Sequence, residues 1–150
     1  VLNKPHTTTQ HRRRAGIMVA AAALLVLTLS ACTPQQSDTI DRVNATRAEQ
    51  GLPKLLAHVS LLNKAQAWAE HLAATGTLEH SKLSDGVTGD WKALGENVGY
   101  GPSLEAVHKA FLGSAAHRQN IVDPRFNWVG TGVAVGKNGT VYVVQVFAQY

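Results

Sequence analysis

The chain has 150 residues, a single cysteine and a formal charge of +4, from 14 Lys and Arg against 10 Asp and Glu. This length suits one domain with a sizeable core, and 45% hydrophobic residues exclude a disordered or fibrous chain. One cysteine excludes an internal disulfide framework and any zinc cluster built on several thiolates.

The net positive charge comes from the beginning of the chain. Lys4, Arg12, Arg13 and Arg14 lie in the first 31 residues with no acid beside them, and every Asp and Glu lies at Asp38 or later. The remainder therefore carries ten charges of each sign, and no basic patch for nucleic acid is expected. After His11–Arg14 comes an uncharged run rich in Ala and Leu, Ala15 to Leu29. It falls short of the ~20 residues that span a bilayer and fits the apolar region of a secretory signal. Leu29-Ser30-Ala31-Cys32 resembles a bacterial lipobox. That resemblance implies cleavage before Cys32 and a diacylglyceryl group on its thiol, and two or three acyl chains anchor stably. An uncleaved membrane anchor with an unmodified Cys32 is the alternative. The expected organisation is a lipoprotein signal peptide over 1–31, a lipidated Cys and polar tether over 32–37, and one domain over 38–150.

A first helix is expected from about Asp38 to Gln50, capped by Ser37 or Asp38 and stopped by Gly51. A second is expected from about His58 to Thr75, with Leu61, Ala65, Trp68 and Leu72 facing the core and Gly76 ending it. A loop-rich stretch follows to Leu94, then a short strand over Gly95–Gly101. Ser103 caps a third helix carrying Leu104, Val107 and Phe111 inward, and Ala115–Ile121 adds a short fourth. Trp128–Val135 and Val141–Ala148 read as strands, and Asn138-Gly139 between them signals a hairpin. Helices first and a hairpin last give an α+β fold rather than alternating βαβ units.

Several phrases stand in order along 38–150. They are Asn44-Ala45-Thr46-Arg47, Gly51-Leu52-Pro53, Ala65-Gln66-Ala67-Trp68-Ala69, Leu78-Glu79-His80-Ser81, Gly95-Glu96-Asn97-Val98, Ser114 through Ile121, and Val129 through Ala134. Together they resemble the CAP superfamily, the SCP-like domain of cysteine-rich secretory proteins, antigen-5 and plant pathogenesis-related proteins, in its bacterial branch. The resemblance implies a three-layer α-β-α sandwich with a central antiparallel sheet, and a cleft lined by His80, Glu96 and His117. The eukaryotic branch has a second Glu three positions before the second His. Ser114 stands there in this chain, so mechanisms that need two cleft carboxylates are in doubt.

His80, Glu96 and His117 come from three separate segments and form no H-E-x-x-H pattern. Brought together, two neutral imidazoles can ligate zinc or another divalent metal, and Glu96 can complete the site, orient a His or act on a bound water as a catalytic group. A structural His-Glu-His hydrogen-bond network is the plain alternative. Trp91 and Ser114 are expected at the cleft rim, Trp68 and Trp128 in the core. His58, His71 and His108 are expected at the surface, and Arg118 in a salt bridge. Ser81 and Ser114 make a serine hydrolase conceivable, but no G-x-S-x-G elbow is present. The expected function is a lipid-anchored, extracytoplasmic binding module for a small amphipathic, sterol-like or cell-wall ligand, attached to the membrane through Cys32. A metal-dependent hydrolase and a structural or host-interaction lipoprotein with a vestigial cleft are the alternatives.

Overall fold

A computed structural model describes residues 32–150. The expected leader, 1–31, lies outside the described residues. Four helices and four strands follow in the order α1 (Pro34–Glu49), β1 (Leu56–Ala57), α2 (Val59–Thr75), β2 (Ala93–Gly101), α3 (Leu104–Gly113), α4 (Ala115–Val122), β3 (Trp128–Val135) and β4 (Val141–Gln149).

The first helix starts earlier than its apolar periodicity predicts. Thr33 caps it, Pro34 occupies its first turn, and Thr33 and Gln36 satisfy each other's backbone N–H groups in a capping box. Gln36 is buried and donates to the Thr131 carbonyl at 2.9 Å, while the Thr131 hydroxyl donates to the Gln36 carbonyl at 3.0 Å. Residues expected to be a tether are thus a helical turn pinned to β3.

The sheet order is β1-β3-β4-β2. The pairs β3–β4 and β2–β4 are antiparallel, but the short β1 runs parallel to β3, so the sheet is mixed rather than wholly antiparallel. The hairpin forms where Asn138-Gly139 predicts it, through a longer loop than a two-residue turn. Gly136 and Thr140 close it, and only Gly139 adopts a positive φ, +82°.

Side-chain alternation splits the strands between two helical layers. Val144 and Val146 pack with Leu61, Ala65 and Leu72 of α2. Val129, Val143 and Phe147 pack with Ile40 and Val43 of α1, Val107 and Phe111 of α3, and Ile121 of α4. The approach of α2 to β3 requires glycine. A Cβ on Gly130 would lie 2.0 Å from the Leu61 carbonyl carbon, and one on Gly132 would lie 2.1 Å from the Ala65 carbonyl oxygen.

Arg47 holds one end of this layer together. Its buried guanidinium donates to the carbonyls of Pro53, Ile121, Asp123 and Phe126 at 2.9–3.3 Å. Burial lowers its pKa, opposed by the nearby Asp123 charge. No hydrogen bond or ion pair of the Arg118 side chain stands among the described residues, where the sequence predicts a salt bridge, and Arg125 is the partner of Asp123 at 2.6 Å. Trp68 and Trp128 are only half-buried. The Trp68 indole N–H reaches the Glu79 carbonyl at 2.9 Å and its ring stacks on His71. His58 occupies the N-cap position of α2 without a side-chain capping bond and stacks on Tyr150, so it is less of a surface residue than its position near a helix start predicts.

Candidate functional site

Glu96 sits in β2, an edge strand of the sheet. Its side chain is 3% exposed. Burying a carboxylate is costly unless donors surround it, and the loop before β2 supplies them. Oε1 accepts from the Ser81 N–H at 2.9 Å and from His80 Nδ1 at 2.8 Å, and Oε2 accepts the Ser81 hydroxyl at 2.6 Å. The structure therefore joins His80 and Glu96. Ser81, considered only as a nucleophile, serves instead as the main anchor of the carboxylate. The adjacency of Ser81 to His80 is its one sequence signal.

His80 keeps 63% of its side chain exposed, so the ring is held at Nδ1 and open elsewhere. His117 approaches from α4. It packs at 5.0 Å from the Phe111 ring, and its pKa is lowered from the ordinary histidine value by burial first and by the His80 charge second. His117 does not join the hydrogen-bonded pair. Among the described residues, no three His, Cys, Asp or Glu side chains converge to hold a metal ion. With the Glu96 carboxylate buried against Ser81 and His80, two imidazoles remain as accessible donors, fewer than the three protein ligands usual at catalytic zinc.

A buried amide network fixes the backbone beneath the site. Asn97 donates to the His117 carbonyl and to Gln145 Oε1, both at 3.0 Å. Asn120 donates to the Glu96 carbonyl at 3.1 Å and to Asn97 Oδ1 at 2.9 Å. The network ties α4 to β2 and so sets His117 relative to Glu96. Gln145, a lone amide inside an apolar strand run, and the two asparagines of the phrases over 95–98 and 114–121 are its signals in the sequence.

Two apolar grooves reach this cluster. One, of about 240 Å3, is lined by Leu78, Val98, Tyr100, Phe111, Ser114 and His117, among others, which places Ser114 at its rim. The other, of about 580 Å3, lies over α2 at Ala67 and Trp68 and meets Ser81. Trp91 lines neither groove and stands exposed in the loop before β2.

The Cysteine-rich secretory protein family (CAP) model matches residues 40–147. The chain belongs to this family. It is 27% identical over 125 residues to the uncharacterized protein YkwD of Bacillus subtilis, a match that covers 77% of this chain and 48% of that protein. The chain thus spans about half the length of the curated relative it matches. Among solved structures it resembles Schistosoma mansoni venom allergen-like protein 4, with a TM-score of 0.68 at 17% identity, covering 79% of this chain and 90% of that one. It also resembles an outer surface protein of Borrelia burgdorferi, with a TM-score of 0.65 at 19% identity, covering 75% of this chain and 90% of that one. At these identities the likeness establishes the α+β sandwich fold, with helical layers on both sides of the mixed sheet.

Proposed function

We propose that this CAP-domain protein is a non-catalytic binding module held outside the cytoplasmic membrane by lipid on Cys32, taking a small amphipathic ligand at the grooves beside His80 and His117. The observation that carries this reading is a pair of largely apolar grooves, one meeting Ser81 and the other lined by His117, beside a buried carboxylate that Ser81 and His80 hold in place. A general base needs a free lone pair facing its proton donor. Glu96 is 3% exposed and holds three donors from Ser81 and His80, so little of its carboxylate faces a ligand, which gives it a positioning role. The His117 imidazole in the lining of the smaller apolar groove suits a ligand with an apolar body and a polar head. The outer-surface designation of the Borrelia structure supports display outside the cell.

His80 and His117 are the residues that would hold a divalent ion such as zinc, which supplies Lewis-acid character when bound. The His80–Glu96 pair supports this, because a carboxylate on one ring nitrogen orients the other toward a metal. An ion held by these two imidazoles alone is weakly held.

The test is binding of a dansylated fatty acid to the mature protein, with and without zinc. Ala110→Trp and Ala67→Trp each block one groove. At least one variant is expected to weaken binding tenfold or more, and unchanged affinity in both would overturn the reading. Zinc calorimetry with His80→Ala and His117→Ala tests the metal separately, since equal binding by all three proteins removes it.

A further inference from the structure

We infer that the end of the sheet carrying the β3–β4 turn rests on the bilayer, so that the groove along β2 opens toward the membrane surface. The inference rests on lipidation of Cys32 and goes beyond it by fixing which face meets the lipid.

The direction of α1 decides the face. Gln36 bonds Thr131, while Arg47, near the other end of the helix, bonds the Phe126 carbonyl. The helix therefore runs antiparallel to β3. Cys32 precedes Gln36 by four residues, just ahead of the first turn of α1, and so lies toward the Val133–Val135 end of β3. Its side chain is partly buried against the α1/α3 core. Thr33 and Pro34 start the helix immediately after it, and the capping box leaves no slack. A lipid on Cys32 is thus joined one residue before the capped start of α1, which keeps that end of the sheet close to the bilayer.

The surface at that end suits an interface. Val135 is 64% exposed and Tyr100 58% exposed. The sheet register places them two strands apart on neighbouring rungs, since Val135 pairs with Val141 and Tyr100 with Tyr142. Lys137 extends from the turn between them and can reach phosphate headgroups, while tyrosine favours the headgroup level. Exposed apolar residues also stand at the opposite end, at Leu56 and Trp91. Exposure alone does not choose between the ends; the position of Cys32 does. The smaller groove has Tyr100 in its lining and extends to His117. Four strand residues separate Tyr100 from Glu96, about 13 Å. An amphipath leaving the bilayer beside Tyr100 reaches the cluster without crossing open water.

The experiment uses the full, processed protein purified with its lipid and reconstituted into phosphatidylcholine/phosphatidylglycerol nanodiscs containing a gadolinium-chelating lipid. Backbone amide broadening reports distance from the headgroups. Tyr100, Val135, Lys137 and Asn138 are expected to lose several-fold more intensity than Leu56, Trp91 and Asn127. Equal broadening at both ends, or stronger broadening at Leu56 and Trp91, would overturn the inference. The intact mass separates the two levels. An acylated protein with equal broadening refutes only this orientation, whereas an unacylated Cys32 removes the anchor and the orientation with it.

Discussion

Replacing Glu96 by Ala tests whether its carboxylate organises the site or is held there for chemistry. The substitution removes the acceptor for three donors: the Ser81 N–H, the Ser81 hydroxyl and His80 Nδ1. His80 is largely exposed and regains water, so its bond counts for little. The two Ser81 bonds go to a charged acceptor, and such bonds contribute about 1.5–3 kcal/mol each. Relief from burying the carboxylate offsets part of that. The balance is a loss of about 2–3 kcal/mol. For a domain of this size each kcal/mol lowers Tm by roughly 4 °C, which gives a fall of about 10 °C. Urea and thermal unfolding of the mature protein at neutral pH measure it. Glu96→Gln keeps one oxygen for the Ser81 N–H and is expected to lose about half as much. Catalytic groups are often retained against stability. An Ala variant as stable as the parent, or more stable, would therefore refute the positioning role.

Gly132→Ala is expected to cost about 3 kcal/mol, because its Cβ would meet the Ala65 backbone at 2.1 Å and α2 must move away. Gly113→Ala, with nothing within 4 Å of the new Cβ, is the control and should be neutral or slightly stabilising in the same unfolding assay. Arg47→Lys keeps the charge but cannot reach four carbonyls, and a loss of about 3 kcal/mol or more is expected by urea denaturation. His108, half-buried on α3 and 3.3 Å from the Thr46 hydroxyl, has its pKa lowered by burial first and by Arg42 second. The unfolded chain then takes this proton more readily than the folded one. His108 thus costs no stability above pH ~6.5 and progressively more as pH falls below it. NMR titration should show a midpoint below that of free imidazole, raised by Arg42→Ala; a midpoint at or above the free value would contradict the burial.

The sequence by itself determined the α2, α3 and hairpin elements. Their signals are local: a repeat of apolar residues at helical spacing, Ser103 as a cap, Asn138-Gly139 between β-branched runs. It also determined the family, through ordered phrases, and with it the nomination of His80, Glu96 and His117. It did not reveal the true start of α1. Thr33, Pro34 and Gln36 read as a polar linker because the partner of Gln36, Thr131, lies 95 residues away. The mixed sheet was hidden for a related reason, since β1 is two residues long and exists only through its pairing with β3. At the site, composition named the groups and tertiary structure assigned their roles. Ser81 turned toward Glu96 and took up its oxygens, and the Asn97–Asn120–Gln145 amides set where His117 stands. Hydrogen bonds between distant segments depend on direction as well as identity, and direction is decided only when the layers pack.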